Sequence, residues 1–428
     1  MSPLELSQDF NNVLNLLEKE RKNLFVTGRA GTGKSTLLQL FRKTTSKKHV
    51  VLAPTGVAAL NVKGQTIHSF FNFPPRLFDP GQIKTGKNKR LIKELEIIII
   101  DEISMVRADL MDAIDYILRV LRNNQKPFGG IQMVVFGDLF QLPPVVNQET
   151  NDWLKRREYA SVYFFSAHIF SSFPDFFEMF ELHKIYRQDN KQFIHLLESV
   201  RLNKIDPDDL EALNERYNPS FHSIENYITL CARNLTADKI NQTQLNLLES
   251  ESKPYLAKIT GNFQASQFPT EPILNLKIGA QVMILRNDPE GKFVNGSIGV
   301  IQKLLDNEVE VSLDQDGYKT SLTLGPLNWE ILQYKLDPKH PDKISTEIIG
   351  TFTQLPIKLA WGVTIHKAQG KTFDKIIIDL AGGAFEYGQT YVALSRCRTL
   401  DGIVLRHPLK PTDLKTDPAV LDYYQLFA

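Results

Sequence analysis

One glycine-rich octapeptide has the residue types and the spacing needed to hold phosphate groups. It runs from Gly28 to Ser35 (GRAGTGKS) and fits the pattern G-x-x-x-x-G-K-[ST]. Glycines let the backbone curl until successive N–H groups face phosphate oxygens, and a helix N-terminus adds the positive end of its dipole. In this pattern the lysine reaches the β- and γ-phosphates, and the hydroxyl binds Mg²⁺. We expect nucleotide contacts from Gly28, Ala30, Gly31, Thr32, Gly33, Lys34, Ser35 and Thr36.

Two acids follow an apolar run at residues 95–100. An aspartate delivered by a buried strand to the metal side of a phosphate loop binds Mg²⁺, so Asp101 joins Ser35 as a predicted metal ligand. Glu102 is predicted to polarise an attacking water, which favours hydrolysis of ATP over transfer to another substrate. Acids at strand ends also cap helices. The phosphate loop earlier in the chain favours the catalytic interpretation.

A third apolar run, at residues 133–136, leads into Gly137, Asp138 and Gln141. An amide at the same sheet edge as the phosphate loop is able to hydrogen-bond the γ-phosphate or its water and to report whether phosphate is bound. The alternative is that Asp138 and Gln141 only hold a proline-terminated loop. Spacing alone does not separate the two interpretations.

The elements that carry these groups are short apolar runs, at residues 24–27, 49–53, 95–100 and 133–136. They alternate with helical patterns, one of which starts at Lys34. Fully apolar strands separated by helices predict a parallel sheet covered on both faces. Ligands of such sheets bind at the carboxyl ends of the strands, where the polar residues stand here. The first third is therefore predicted to be an α/β domain.

The remainder of the chain changes character twice. Helical patterns extend from about residue 181 to about 251, around one strand candidate at 227–231. Short β-rich pieces follow at 280–285, 297–304, 308–313 and 319–324, and apolar strands between helices return at 357–360, 376–380 and 403–405. Short strands spaced by turns such as Asn295-Gly296 are typical of a small β-barrel. The sequence predicts two α/β domains, with a β-barrel inserted in the second.

Composition excludes several classes of protein. The 428 residues are enough for about three domains. Fifty Lys+Arg against 49 Asp+Glu give a net charge of +1, which argues against a polybasic protein and still allows local basic patches, such as the predicted exposed loop at 76–93. The two cysteines, Cys231 and Cys397, suit neither a disulfide framework nor a zinc site. No apolar run approaches a membrane span, and no signal or transit peptide is recognisable, so we expect a cytoplasmic protein without a membrane partner.

The ordered set of motifs resembles superfamily-one helicases, and within them the PIF-type group of 5′-to-3′ DNA helicases related to the RecD type. Residues 127–132 (PFGGIQ) are similar to the signature of that group. The other segments that carry the resemblance are 28–35, 53–59, 64–71, 101–105, 137–144, 294–299, 364–372 and 391–396. Together they span almost the whole chain, from about residue 6 to 405, as expected of a minimal bacterial-type core.

The resemblance implies a specific domain plan. It predicts a RecA-like ATPase domain at 1–180, with a small wedge insertion near 64–95. A second RecA-like domain is expected at 181–270 and 351–428, with an SH3-like β insertion at 271–350.

The resemblance also implies site residues that spacing does not select. Arg187 and Arg396 correspond to arginine fingers; taken singly, each is an ordinary candidate for a surface ion pair. Gln8 corresponds to a glutamine that contacts adenine, and Gly370 joins the ATP site. The residues expected along the DNA strand are Thr55, Gly56, His68, Ser69, Phe71, Thr364 and His366. The phenylalanines near residue 70 either stack on bases or pack a small core under a loop.

The expected function is that of an ATP- and Mg²⁺-dependent DNA helicase moving 5′ to 3′ on single-stranded DNA. The expected partners are single-stranded and duplex or forked DNA, with a chain that is monomeric in isolation and nucleoid-associated. The residues do not distinguish among forks, G-quadruplexes and RNA–DNA hybrids. Two alternatives stay open: a RecD-like subunit of a larger complex, and a DNA-independent P-loop ATPase or kinase. ATPase activity measured with and without single-stranded DNA separates the DNA-independent ATPase or kinase from the helicase.

Overall fold

The structure is a computed structural model, and it describes residues 7–74, 88–221, 226–288, 292–315, 318–337, 340 and 343–427. The chain forms two compact units. The first comprises residues 1–186, 331–349 and 418–428, and the second comprises 187–330 and 350–417. Much of the expected basic loop, including Arg76, Lys84 and Lys87, lies outside the described residues.

The first unit is an α/β domain around one parallel sheet. Its strands are β1 (Leu24–Gly28), β2 (His49–Ala53), β3 (Gln65–Thr66), β4 (Ile97–Ile100), β5 (Gln132–Phe136) and β6 (Glu178–Leu182). Its helices are α1 (Gln8–Glu18), α2 (Lys34–Thr44), α3 (Gly56–Asn61), α4 (Ile67–Phe71), α5 (Lys89–Glu94), α6 (Ala108–Arg122), α7 (Gln148–Arg156) and α8 (His168–Ser172). The strand order is β3-β2-β4-β5-β1-β6, and every pair is parallel.

The strands form because their apolar residues are covered on both faces. All residues of β1, β4 and β5 are buried, which explains why these runs show no polar alternation. Helix α1 contributes Phe10, Val13 and Leu17 to the core, and its N-terminus is capped by Ser7, whose hydroxyl accepts the Phe10 N–H at 3.3 Å. One expectation was wrong: the segment from 181 does not begin a helix, because Glu181 and Leu182 end strand β6.

The PIF-type signature at 127–132 forms a tight turn between α6 and β5. Three consecutive residues have left-handed φ: Phe128 (52°), Gly129 (61°) and Gly130 (73°). The buried Asp115 carboxylate accepts the Phe128 N–H at 2.6 Å. A Cβ atom at Gly129 would lie 2.6 Å from the Leu118 carbonyl oxygen. The signature glycine is therefore required by the close approach of helix α6.

The second unit combines a parallel and an antiparallel part. Its helices are α9 (Lys191–Arg201), α10 (Pro207–Asn214), α11 (Asn234–Leu247), α12 (Ile365–Ala368) and α13 (Gln389–Leu394). Its strands are β7 (Ile228–Cys231), β8 (Lys253–Leu256), β9 (Lys258–Gly261), β10 (Ile273–Leu276), β11 (Gln281–Ile284), β12 (Ile298–Leu304), β13 (Val309–Gln315), β14 (Tyr318–Leu324), β17 (Ile357–Leu359), β18 (Gly362–Thr364), β19 (Ile376–Asp379) and β20 (Ile403–Leu405). Strands β15 (Leu327–Leu336) and β16 (Ile344–Gln354) belong partly to each unit.

Two sheets organise the second unit. The order β18-β7-β19-β20 is parallel throughout, whereas β14-β13-β12-β11-β17 is antiparallel. The antiparallel strands enclose an apolar core that includes Val282, Ile301 and Val311. Four of these strands correspond to the β-rich pieces expected from the sequence. The SH3-like character of this part stays a prediction.

The compact units differ from the expected domain limits in two places. Residues 331–349 were expected in the inserted β domain, and 418–428 in the second RecA-like domain. Both segments pack in the first unit, the latter as helix α14 (Pro418–Gln425). The aromatic side chains of α14 explain its position, because Tyr423 stacks on Phe165 at 4.2 Å. The expected domain limits themselves stay a prediction.

We predict that Gly129→Ala destabilises the first unit by at least about 2 kcal/mol, because it combines left-handed strain with a backbone clash. Gly325→Ala is the control, since Gly325 has an ordinary φ and its nearest atom, Glu308 Oε1, would be 3.4 Å from the new Cβ. Thermal unfolding followed by circular dichroism checks both variants. Equal melting temperatures for Gly129→Ala and Gly325→Ala would contradict the assigned role of the turn.

Candidate functional site

The phosphate loop connects β1 to α2 through a backbone that requires glycine. Gly28, Gly31 and Gly33 have φ values of 147°, 85° and 84°. A Cβ atom at Gly28 would lie 2.8 Å from both the Leu182 carbonyl oxygen and Thr32 Oγ1. Gly33 is the N-cap of α2, and no side chain caps the helix there. The first-turn N–H groups therefore have no side-chain cap, as an anion-binding helix N-terminus requires.

The side chain of Lys34 lies across this loop. Its Nζ donates to the carbonyl oxygens of Gly28 at 2.6 Å and Arg29 at 3.0 Å. Thr32 is buried, and its hydroxyl also donates to the Arg29 carbonyl, at 2.9 Å. Ala30 is buried as well, whereas Ser35 and Thr36 are exposed in the first turn of α2. The loop thus has a fixed backbone, and the side chains of Ser35 and Thr36 are open to a ligand.

Two carboxylates follow β4 at the same edge of the sheet. Asp101 is 8% exposed, and burial together with the charge of Glu102 raises its pKa to about 7, while nearby Lys34 acts in the opposite direction. Glu102 has a left-handed φ of 53°, which is strained for a residue with a long side chain. A buried carboxyl group held at this pKa suits a divalent cation, because the cation would favour its ionised form.

The loop after β5 is organised by Asp138. The Asp138 carboxylate accepts the Phe140 N–H at 3.2 Å and the Gln141 Nε2–H at 3.1 Å. A Cβ atom at Gly137 would lie 2.8 Å from the Ile103 side chain, so this loop lies against the turn that follows Glu102. The alternative interpretation from the sequence is partly shown, since Asp138 and Gln141 do hold the loop together. That contact also fixes the Gln141 side chain at the edge that carries Asp101.

Helix α14 supports the same loop, and sequence reasoning missed it. The Tyr424 ring packs edge-on against Phe140, with centroids 5.2 Å apart, and its hydroxyl donates to the Glu181 carboxylate. Glu181 lies in β6, opposite Thr27 of β1. Tyr424 therefore bridges the strand beside the phosphate loop and the loop that carries Gln141. No local motif marks a tyrosine this far along the chain.

Helix α1 lies beside the phosphate loop. Gln8 is its first residue and is exposed, and its side chain donates to Asn12 at 3.1 Å. A Cβ atom at Gly33 would lie 3.1 Å from the Phe10 ring, so α1 contacts the loop directly. The Asp9 carboxylate accepts the His183 N–H at 3.2 Å. The assignment of Gln8 to adenine stays a prediction.

The second unit brings Arg187 and Arg396 together. Arg187 donates to the Ser395 carbonyl at 2.9 Å, while Arg396 is 1% exposed and donates to the Val392 carbonyl at 2.9 Å and the Ser395 hydroxyl at 2.8 Å. Burial and the positive charge of Arg396 lower the pKa of Arg187. Two guanidinium groups this close suit an anion. Gly370, with φ 77°, has open space above its Cα atom.

The DNA candidates divide between the two units. In the first, Thr55 caps α3, which starts at Gly56, and Ser69 accepts a hydrogen bond from Gln65 at 2.9 Å. Burial lowers the pKa of His68. In the second, Thr364 is buried and caps α12.

Phe71 shows the packing alternative. Its ring is 2% exposed, stacks on Phe73 at 5.2 Å and packs edge-on against Phe70 at 4.9 Å. The three rings form a small core, so none of them is open to a base in this structure. The expectation that Phe71 contacts DNA stays a prediction that would require these rings to move.

Two absences hold for the described ranges. No group of three or more His, Cys, Asp or Glu side chains there is arranged to hold a metal ion. None of the helices in the described part of the chain combines the length and apolarity needed to cross a membrane.

The fold and the phosphate loop define a P-loop nucleotide-binding protein. The family model for PIF1-like helicases matches residues 5–210, and the model for the 2B domain of DNA helicase Pif1 matches residues 262–304. The ATP-dependent DNA helicase Pif1 of Bdellovibrio bacteriovorus is 32% identical, over 99% of this chain and 92% of the relative. The chain belongs to the PIF1-like helicase family.

Solved structures agree with this assignment. Pif1 from Bacteroides sp in complex with ADP-AlF4 has a TM-score of 0.91 and 38% identity, covering 99% of this chain and 97% of that one. Bacteroides Pif1 bound to ssDNA has a TM-score of 0.70 and 37% identity, over 99% and 97%. The predicted PIF-type membership and the predicted fold class of two RecA-like domains are confirmed. The chain spans 63% of the length of the Emericella nidulans ATP-dependent DNA helicase PIF1, which is 30% identical.

We predict that Tyr424→Ala speeds amide hydrogen exchange across residues 137–141, because the Phe140 ring loses its partner. Tyr424→Phe keeps the ring contact and should leave most of the protection. Tyr423→Ala is the matched control, since Tyr423 lies on the same helix and packs on Phe165. If Tyr423→Ala and Tyr424→Ala expose this loop equally, its order depends on the helix as a whole and not on Tyr424.

Proposed function

We propose that this chain is an ATP-dependent DNA helicase that moves 5′ to 3′ along single-stranded DNA and unwinds duplex DNA. The observation that carries the proposal is the convergence of the phosphate loop, the Asp101–Glu102 pair and Gln141 at the carboxyl edge of one parallel sheet. The names of the relatives and membership of the PIF1-like family support it. The direction of movement rests on the family resemblance.

In this proposal the first unit binds Mg²⁺ and ATP. The residues present fit both, because the loop is shaped by glycines and Asp101 is a buried carboxyl group beside Lys34. Mg²⁺–ATP supplies a phosphoanhydride bond for hydrolysis, and the metal neutralises charge on the phosphate oxygens. Ser35 and Asp101 would hold the metal. Lys34 would exchange its carbonyl partners in the loop for phosphate oxygens.

Glu102 and Gln141 have separate roles. Glu102 would orient and polarise a water molecule, and its side chain does not cap the short helix that follows. Gln141 would contact the γ-phosphate and would lose that contact when the phosphate leaves. The Asp138 carboxylate accepts hydrogen bonds from both the Gln141 side chain and the Phe140 N–H. A movement of the Gln141 side chain would therefore also disturb the backbone of this loop.

Arg187 and Arg396 would supply positive charge to the transferring phosphate. Arg187 donates to a main-chain carbonyl oxygen, and Arg396 donates to a main-chain carbonyl oxygen and to the Ser395 hydroxyl, so these bonds hold both guanidinium groups in place without neutralising them. A nucleotide that prefers one arrangement of two RecA-like domains, and loses that preference on hydrolysis, drives cyclic movement. A strand gripped through its phosphates by Thr55, Gly56, His68, Ser69, Thr364 and His366 would then be moved without regard to its sequence.

The proposed partners are single-stranded DNA and duplex or forked DNA, and we propose a monomer in isolation. The DNA-independent ATPase or kinase is the second candidate, since it also needs the phosphate loop. Membership of the PIF1-like helicase family argues against the DNA-independent ATPase or kinase. The RecD-like subunit is argued against by the PIF-type signature turn at 127–132.

We predict that the purified chain unwinds a duplex with a 5′ single-stranded tail and leaves a duplex with only a 3′ tail intact. Single-stranded DNA should raise its ATP turnover by at least about tenfold, as expected when the ligand assembles the active state. Strand separation of fluorescently labelled duplexes and phosphate release measure these outcomes. Lys34→Ala is the inactive control for both assays.

Each outcome of that experiment is informative. Unwinding of only the 3′-tailed duplex would refute the direction. ATP turnover that ignores DNA would favour the DNA-independent alternative. DNA-stimulated turnover without unwinding by the purified chain would favour a subunit of a larger complex.

We predict that Glu102→Gln lowers ATP turnover by a factor of about 10² to 10⁴, because the amide cannot polarise water, while the affinity for ATP changes little. Steady-state turnover and the binding of a fluorescent ATP analogue separate these effects. Glu149→Gln, at an exposed acid in the first turn of α7, serves as the control. A turnover near that of the unchanged protein would remove Glu102 from the proposed role.

A further inference from the structure

A cavity of about 340 Å³ lies in the second unit, beside one of the proposed DNA contacts. It is bounded by helix α11 and strands β10, β17 and β18, and its lining includes Lys358, Thr364 and Lys367. We call it the Lys358 cavity. Thr364 is one of the residues expected along the DNA strand, whereas neither the family motifs nor the sequence singled out Lys358.

Lys358 is half-buried, and its ammonium group has no hydrogen-bond or ion-pair partner among the described residues. Burial lowers its pKa to about 7, and the positive charges of Lys371 and Lys367 act in the same direction. Glu271 acts in the opposite direction, and Asp238 of α11 also lines the cavity. A desolvated amine surrounded by further amines is costly unless an anion is bound.

The walls of the cavity are fixed before any ligand binds. Asn241 of α11 accepts the N–H groups of Trp361 and Gly362 at 3.0 Å and 2.9 Å, and donates to the Gly362 carbonyl at 2.8 Å. These three bonds hold the start of β18, two residues before Thr364. The Thr364 hydroxyl accepts the Lys367 N–H at 3.4 Å, so its own hydrogen remains available to donate.

We infer that the Lys358 cavity is a phosphate subsite, in which Lys358, Thr364 and Lys367 hold one backbone phosphate of single-stranded DNA. The inference rests on the proposed function, because it assigns the strand to this face. It adds a residue and a mode of regulation to that function. The phosphate binds the protonated form of Lys358, so binding takes up a proton.

The pH dependence follows from the direction of the pKa shift. Free Lys358 loses its proton as the pH rises through about 7, and a bound phosphate raises that pKa again. The association constant for single-stranded DNA should therefore fall as the pH rises from about 6.5 to about 8.5, by up to about tenfold per unit. The charged groups near Lys358 are Lys367, Lys371 and Glu271, together with Asp238 in the cavity wall. The proton exchanged in this range is that of Lys358.

The test measures the affinity for a fluorescent oligothymidine by anisotropy, at constant ionic strength across that pH range. Lys358→Met should weaken binding about tenfold at low pH and reduce the pH dependence. It should also lower the slope of log K against log salt by about 0.7, the value for one phosphate contact on a single strand. Lys358→Arg stays charged at every pH, so it should keep the affinity and lose the same part of the pH dependence.

Lys239→Met is the matched control, because Lys239 is exposed on α11 and does not line the cavity. Other titratable groups of the proposed DNA site contribute to the pH profiles of the wild type and the variants alike. The difference between wild type and Lys358→Arg isolates the lysine. If Lys358→Met binds DNA as Lys239→Met does, with the same pH profile, the inference is overturned.

A measurement on the unchanged protein does not depend on whether the variants fold. Calorimetric titration with oligothymidine near pH 8, in two buffers of different ionisation enthalpy, should show uptake of up to about one proton per strand bound. DNA binding with no proton uptake would overturn the inference. Proton uptake from inorganic phosphate alone, with DNA affinity insensitive to Lys358, would mean a free-anion site and would also overturn it. Failure of the wild type to bind DNA at all would instead refute the proposed function.

Discussion

The nucleotide site depends on one steric constraint, which is that the backbone at Gly28 has no space for a side chain. Strand β6 pairs with β1 so closely that the Leu182 carbonyl oxygen would lie 2.8 Å from any Cβ atom at Gly28. The chain must therefore leave β1 in a conformation that only glycine tolerates at low cost. This turn sends the backbone over the start of α2, and it leaves the Gly28 carbonyl where Lys34 reaches it at 2.6 Å. The position of Lys34, the proposed catalytic lysine, thus follows from the pairing of two strands.

Three ionisable side chains proposed to bind ions have pKa values that are shifted in the free protein. Burial is the main cause of the pKa shifts of Asp101, Arg187 and Lys358, and each also lies near a group of like charge. Both effects favour the neutral form of the side chain. Such arrangements are unfavourable in the free protein and become favourable when an ion of opposite charge binds. The metal candidate carries negative charge, and the phosphate candidates carry positive charge. The electrostatics of the free chain therefore indicate the charge of its ligands.

The sequence predicts those parts of the molecule that depend on local patterns. The phosphate loop and the acids after β4 were predictable, because glycine spacing and apolar runs act over a few residues. The edge strand β6 was not, because its residues are only partly buried and show no apolar run. Nor was the bridge from Tyr424 to Phe140 and Glu181, since it joins residues far apart in the chain. The burial of the Phe71 ring also lay beyond the sequence, which supported stacking and packing equally.

A net charge of +1 places a limit on how this chain holds a polyanion. Without a strong overall field, affinity must come from groups gathered at particular points, where partial burial makes each charge act more strongly than it would in water. Burial of a lysine also weakens its hold on the proton, as at Lys358. Local affinity and sensitivity to pH therefore have the same physical origin. For a protein proposed to release its strand in every cycle, a few desolvated amines give a contact that is strong when charged and weak when neutral, which a uniformly basic surface would not provide.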